Sequence, residues 1–269
     1  MFSNGSIVSF GYERSPGPWR APADSEAVMS VRAKLFAMTY DWQMSTAEEA
    51  GLRSMRQRLL ADATGQVIEI GAGTGANLPC YGLKVESLAV TEPLPPMMRK
   101  LERRVRDCGS SAKVLRAPAE DLPFDNDTFD VAVSTLVLCG VDDQPRALRE
   151  LRRVLRPGGR LLFLEHVRAD DPAVARLQDR INWLNRIVIC CNLNRPTLDT
   201  IKQVGFAVTS LEHTALPKAP KFVGPAIMGV ATKLRVRPPG AGPTRLSHAP
   251  PVPVRRGVPR GGRSLFPSG

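Results

Sequence analysis

The segment Val67-Ile-Glu-Ile-Gly-Ala-Gly-Thr-Gly-Ala-Asn-Leu78 constrains this chain more than any other. An apolar run of the kind that ends a buried strand meets glycines at 71, 73 and 75. Glycine permits left-handed backbone and lets the main chain come close to a ligand. Strand patterns at residues 66–70, 87–91, 113–117, 129–134 and 160–165 alternate with helical patterns at 95–108 and 144–155. Leu148, Leu151, Val154 and Leu155 form the buried stripe of the second of these helices, and Pro157-Gly158-Gly159 stops it. Alternating strands and helices make an α/β fold with a parallel sheet covered on both faces. Upstream, helical patterns cover 28–40 and 46–60, with Thr46 as the expected cap and Glu48 and Glu49 in the first turn. Downstream, residues 170–191 form a helical insertion. A helix at 197–204 ends at Gly205, and 207–211 and 227–233 are closing strands.

Composition sets the boundaries. The net charge of +11 suggests a nucleic-acid partner until it is located. Residues 234–269 carry seven Arg and no Asp, Glu or Lys, so the remainder holds 30 basic against 26 acidic residues. That tail is crowded with Pro and Gly and lacks the apolar content to fold. The expectation is a loose segment at 1–27, a folded domain at 28–233 and a disordered basic tail at 234–269. A solvated tail is preferred to an arm for nucleic acid or anionic membrane, because no aromatic interleaving supports base stacking. The five cysteines show no C-x-x-C and no His/Cys ligand spacing. Reduced thiols in a cytoplasmic protein are therefore expected, with neither a disulfide frame nor a metal site. No signal peptide and no membrane-length apolar run is visible. The sequence does not set the oligomeric state.

The second strand ends at Glu92, where an acid accepts both hydroxyls of an adenosine ribose. With the glycines, this suits a dinucleotide and S-adenosylmethionine equally: Gly71-x-Gly73-x-x-Ala76 fits one loop and Gly71-x-Gly73-x-Gly75 the other. Glu69 favours the second, since its carboxylate suits the ammonium of a methionine moiety and would repel a pyrophosphate. Three further motifs stand in order along the chain: Ala119-Glu-Asp-Leu-Pro-Phe124, Phe129-Asp-Val131 and Leu155-Arg-Pro-Gly-Gly159. At these residues the chain resembles the class I S-adenosylmethionine-dependent methyltransferases, in particular their type 11 small-molecule group, over about residues 30–233. More narrowly it resembles the methyltransferase-like 7 proteins, which act on alkyl thiols, at Thr135-Leu-Val-Leu-Cys139, Glu165-His-Val167 and Cys191-Asn-Leu193. The membrane-anchoring N-terminal helix of those proteins has no visible counterpart.

The resemblance implies a Rossmann-like seven-stranded, mostly parallel sheet whose last strand is antiparallel. It implies that Gly71, Gly73 and Gly75 back the methionine part of S-adenosyl-L-methionine, that Glu69 meets its amino group, and that Glu92 holds the ribose. Ala119 and Glu120 are expected beside the adenine. Ser134 and Leu136 complete the cofactor set, with Leu136 beside the sulfonium or in the core. Many relatives have Asp where this chain has Pro118, so a carboxylate at that place is missing and Glu120 is the substitute. Tyr40-Asp41 resembles a lid over the cofactor, or else caps a helix end.

The expected reaction moves a methyl group to a small, largely apolar nucleophile, with a thiol as first choice and a quinol, phenol or lipid precursor as the alternative. His166, after the fifth strand, is the candidate catalytic base; the competing reading is a histidine that positions a loop. Cys139 is expected as a small buried residue rather than a nucleophile, and Glu165 as a structural acceptor. Trp183, Ile187 and Ile189 suit an apolar substrate pocket or ordinary core. An NAD-binding oxidoreductase is disfavoured by Glu69 and by the lack of a Tyr/Lys or Cys constellation. An RNA methyltransferase is disfavoured because Ser134-Thr-Leu-Val stands at the fourth strand's end in place of a base-gripping motif. A non-catalytic cofactor binder remains the reading of a different class.

Overall fold

The computed structural model describes residues 26–188 and 191–235, with side chains described at 37–186 and 191–235. Most of the expected loose segment 1–27, and the basic tail beyond Arg235, lie outside these residues. Seven strands make one sheet: β1 (Gly65–Glu69), β2 (Val85–Thr91), β3 (Lys113–Leu115), β4 (Phe129–Thr135), β5 (Leu155–His166), β6 (Phe206–Ala215) and β7 (Pro225–Lys233). Their order is β3-β2-β1-β4-β5-β7-β6. Strands β1 to β5 pair in parallel, while β7 runs antiparallel to both β5 and β6. This is the Rossmann-like arrangement implied by the sequence. From β1 the chain winds outward to β2 and β3, then jumps back to β4 on the other side of β1. That reversal opens a crevice at the carboxyl ends of β1 and β4, where open α/β sheets bind ligands.

Period-two alternation sorts the strand residues between two cores. Ile68, Ala132, Leu161 and Phe163 face one side, where they meet Ala147, Leu148, Leu151 and Val154 of α4 (Gln144–Val154) and Ile201 of α6 (Thr197–Gln203). Val67, Val131, Val133, Leu162 and Leu164 face the other, against Leu59 and Leu60 of α2 (Arg53–Leu60) and Leu101 of α3 (Pro95–Asp107). Phe129 and Phe163 are the largest fully buried side chains, each contributing about 1.5–3 kcal/mol by burial. Two more helices, α1 (Glu26–Ala47) and α5 (Pro172–Val188), lie upstream of α2 and after β5. Among the described residues no helix is long and apolar enough to cross a membrane.

Two local expectations are corrected. Thr46 does not start a helix; it lies inside α1, which continues into a π-type turn at Glu48–Leu52. The sequence offers no breaker until Gly51, whose φ of 136° takes the kink instead. Strand β5 is longer than 160–165: Leu155 already pairs with Phe129, and the ladder shifts register before the Val131–Arg160 pair. The helix has thus already ended at Val154, and Pro157-Gly158-Gly159, expected to stop it, lies inside the strand where the register shifts.

Candidate active site

The glycine loop leaves β1 at the crevice. Gly71, Gly73 and Gly75 all have positive φ, at 54°, 58° and 84°. A Cβ on Gly71 would lie 2.6 Å from Val137 Cγ1, so side-chain space is closed there, whereas a Cβ on Gly73 would find its nearest neighbour, Met97 Cε, at 3.7 Å. The loop is tied to the end of β2: the Ala72 N–H donates to the Thr91 carbonyl at 2.9 Å, and the Gly73 N–H donates to Glu92 Oε2 at 2.9 Å. Glu92 Oε1 accepts from the Leu94 N–H at 2.9 Å. Burial raises the Glu92 pKa, and these two N–H groups oppose the rise.

Glu69, at the end of β1, is 2% exposed. Its two oxygens accept from Asn77 Nδ2 at 2.9 Å and from the Tyr81 hydroxyl at 2.6 Å. Burial pushes its pKa up against those hydrogen bonds. Arg56 of α2 enters the same network, although its guanidinium is almost fully buried. It pairs with Glu48 at 3.0 Å and donates from Nη1 to Asn77 Oδ1 at 2.9 Å and Thr135 Oγ1 at 2.8 Å. A buried cation needs this density of partners, because desolvation without them costs several kcal/mol. Arg56, Asn77, Tyr81 and Thr135 were absent from the sequence-derived site. A signal existed for Arg56, which shares a helical stripe with the buried Leu52, Leu59 and Leu60.

Helix α1 covers the loop. Asp41 Oδ1 accepts from the Thr74 hydroxyl at 2.6 Å and Oδ2 pairs with Lys100 at 2.9 Å, while Lys100 also donates to the Ala37 carbonyl at 2.5 Å. Tyr40 sits beneath, and burial pushes its phenol up to about 12. The Tyr40-Asp41 pair thus lies over the glycine loop, as a lid does. The space enclosed by Tyr40, Arg56, Glu69, Thr74, Asn77 and Thr135 is only about 10 Å³, roughly the room for one water. A larger cavity of about 590 Å³, lined by Asn126, Arg149, Arg152, Arg153 and Lys233, lies at the opposite, amino-terminal edge of the sheet. It lacks a glycine loop and lies away from the edge where such sheets bind ligands.

The remaining predicted residues fall at several places. Ala119 is buried. Glu120 Oε1 accepts from the N–H groups of Asp142 at 2.8 Å and Asp143 at 3.2 Å, anchoring the loop before α4. Ser134 donates to Glu165 Oε1 at 2.6 Å. Glu165, fully buried, also accepts the N–H groups of Val137 and Leu138 at 3.1 Å each, which is the structural role expected for it. Leu136 turns the chain sharply with φ of 60°, its N–H bonded to the Leu164 carbonyl at 2.8 Å. Non-glycine residues in that conformation cost of order 1 kcal/mol and cluster at functional sites. Trp183 is 65% exposed, while the side chains of Ile187 and Ile189 lie outside the described ones.

His166, at the end of β5, is 2% exposed. Its ring stands against two cysteines. Nδ1 lies 3.3 Å and Nε2 3.8 Å from Cys191 Sγ, and the ligand atoms of Cys139, His166 and Cys191 all lie within 4.8 Å of one another. Cys139 is buried, as expected, and its thiol also faces this ring. No spacing in the sequence announced this convergence, because the three residues belong to separate segments.

Comparison with known proteins decides the family. Residues 68–163 match a family model described as a methyltransferase domain. The chain is 30% identical over 212 residues to the thiol S-methyltransferase TMT1A of Homo sapiens, covering 74% of this chain and 83% of the relative. It is 33% identical over 172 residues to the ubiquinone/menaquinone biosynthesis C-methyltransferase UbiE of Idiomarina loihiensis, covering 60% of this chain and 66% of the relative. The chain belongs to the class I S-adenosylmethionine-dependent methyltransferases. A solved methyltransferase structure from Thermotoga maritima shares the fold, with a TM-score of 0.58 at 22% identity over 76% of this chain and 99% of that one. The glycine loop is thus a methyltransferase loop, its cofactor is S-adenosyl-L-methionine, and the dinucleotide oxidoreductase reading is set aside. In this methyltransferase two walls stand at the carboxyl ends of the strands: the polar network around Glu69 and Glu92, and a wall after β4 and β5 in which Leu136 and Val137 are half-buried and Cys139 and His166 are buried.

Proposed function

We propose that this methyltransferase moves a methyl group to the sulfur of a small, largely apolar thiol. The observation that carries this reading is the wall at the ends of β4 and β5. It sets the half-buried apolar Leu136 and Val137 beside the buried Cys139 and His166, and the buried carboxylate behind them, Glu165, is already engaged by Ser134 and two backbone N–H groups. Such a wall suits an uncharged, poorly hydrated acceptor. The thiol S-methyltransferase TMT1A, matched over 83% of its length, supports the same choice.

The residues present suit the cofactor by their chemistry. Glu69 would face the amino group of its methionine part, and Arg56, anchored beside it, the carboxylate. Gly71, Gly73 and Gly75 let the backbone approach. Glu92 would hold the ribose hydroxyls, with Ala119 and Glu120 on the adenine side and Ser134 and Leu136 shaping the floor near the sulfonium. When bound, S-adenosylmethionine supplies a methyl group on a sulfonium sulfur, which is electrophilic without further activation. The task left to the protein is to orient the acceptor and exclude water. Orientation of this kind contributes roughly 7–11 kcal/mol. Asp41, Thr74 and Lys100 hold α1 over the loop, and His166, buried at the end of β5, is the titratable side chain of the acceptor wall. The proposed setting is the reducing cytoplasm, where its cysteines stay thiols.

The test is a methylation screen with labelled cofactor against alkyl thiols, quinols and phenols. Label transfer to an alkyl thiol is the expected result. The relative UbiE makes a quinol the strongest competitor, and transfer to a quinol with none to any thiol overturns the reading.

A further inference from the structure

We infer that Cys139, His166 and Cys191 form a site for one thiophilic divalent cation of the zinc class, whose fourth position takes the sulfur of the acceptor. The cation site stands on geometry; the identity of its fourth ligand rests on the thiol reading above.

The spacing is right for such an ion. Tetrahedral zinc with bonds of about 2.3 Å to sulfur and about 2.0 Å to nitrogen needs ligand atoms roughly 3.5–3.8 Å apart. Here Nδ1 and Cys191 Sγ are 3.3 Å apart, and no pair exceeds 4.8 Å. Two thiolates and one imidazole are soft and borderline donors that select zinc over magnesium or calcium. Among the described residues no fourth Cys, His, Asp or Glu joins the group. Three protein ligands with one position open is the pattern of catalytic rather than structural zinc.

The site is also built before any ion arrives. Asn192 donates its backbone N–H at 2.9 Å and its Nδ2 at 3.0 Å to the Cys139 carbonyl, which locks the two cysteine segments together. Arg195 donates to the Leu138 carbonyl at 2.7 Å and the Val141 carbonyl at 2.6 Å, gripping the Cys139 turn on both sides. Asn185 holds the Cys191 carbonyl at 2.6 Å. These bonds fix backbone and leave all three ligand side chains convergent. His166 itself is poorly provided for. Among the described residues its ring nitrogens meet sulfur alone, and thiols are weak hydrogen-bond partners. Buried polar groups ordinarily find better ones, and a cation supplies the missing partner.

The consequence for the reaction is simple. An acceptor thiol reaching the open position loses its proton to water and binds as the thiolate, the form that attacks carbon. His166 then acts as a ligand that places the acceptor, not as its base.

The full chain, purified under reducing conditions, is tested by elemental analysis and by cobalt substitution. One zinc per chain is expected, lost in Cys139→Ser, Cys191→Ser and His166→Ala variants that keep wild-type circular dichroism and bind S-adenosylhomocysteine. Cobalt-loaded wild type should show sulfur-to-cobalt charge transfer, which strengthens on adding octanethiol. This spectrum decides the matter even if the variants fail to fold. Absence of both zinc and the cobalt band, or a Cys139–Cys191 disulfide in their place, overturns the site. A cobalt band indifferent to octanethiol overturns the open position. Thiol methylation at full rate by metal-free protein overturns the acceptor as fourth ligand and spares the thiol reading, whereas a bound cation with transfer only to quinols sinks the acceptor assignment and leaves the site standing.

Discussion

The two walls of the crevice are built in different ways. The glycine-loop wall is local: Glu69, three glycines and Glu92 come from one strand–loop–strand unit, and backbone N–H groups do much of the holding. The wall at β4 and β5 is assembled from distance: Cys139 comes after β4, His166 ends β5, and Cys191 comes after α5, with Asn192 and Arg195 as the fasteners. One wall suits a cofactor common to a whole family; the other, on the proposed reading, suits an acceptor that varies within it. Local construction suits the first because its geometry is dictated by φ and ψ, while the second can be changed residue by residue without disturbing the loop.

Arg56 is the sharpest place to break that comparison, since it touches both walls through Asn77 and Thr135. Arg56→Ala leaves Glu48 and the Glu69–Asn77 network without their cation. Breaking a buried ion pair costs about 3–5 kcal/mol, so a loss of that size is expected in denaturant unfolding. A loss under about 1 kcal/mol, the level of an exposed pair, would show that the walls are independent.

Within the glycine loop, Gly71→Ala and Gly73→Ala should separate. Both meet the left-handed conformation, at roughly 1–2 kcal/mol. Only Gly71 adds the collision with Val137, worth about 1–3 kcal/mol more. Gly71→Ala should therefore lower the melting temperature more. Gly73→Ala should chiefly weaken S-adenosylhomocysteine binding in calorimetry, because its Cβ enters space the ligand needs. Equal melting temperatures in the two variants would refute the packing argument.

The smallest effect concerns the lid. Burial works to raise the Asp41 pKa, but the Thr74 hydroxyl and the Lys100 ammonium outweigh it and hold the carboxyl below its usual range. A lowered folded value means that the contact stabilises fully above the ordinary aspartate pKa of about 3.9 and is lost as pH falls through the lowered value. The Asp41–Lys100 pair is partly exposed, so Asp41→Asn at neutral pH should cost only roughly 0.2–1 kcal/mol. Hydrogen exchange should show faster opening of α1 in the variant at neutral pH, and the gap to wild type should close in acid. A gap that widens in acid would mean that another group holds the lid.

Legibility in the chain divides along the same line. The strand–helix alternation, the order of motifs and the positions of Glu69 and Glu92 were legible because each depends on neighbours in sequence: period-two burial, glycine conformations, proline and glycine stops. Thr46 was misread because a cap is only one way to use a threonine, and no breaker stood nearby to enforce it. Glu48, expected to greet a helix dipole, instead pairs with Arg56, whose guanidinium is held in place by Asn77 and Thr135 from distant parts of the chain. Ser134 and Glu120 were expected at the cofactor from their places along the chain; their hydrogen bonds go to Glu165 and to the loop before α4. The sequence by itself determined the sheet, the glycine cradle and the family, since these rest on local backbone geometry repeated at regular intervals. Only the tertiary structure decided that Cys139, His166 and Cys191 meet: their side chains converge because β4 lies beside β5 and the chain returns from α5 to the end of β4, and no spacing along a strand encodes that return.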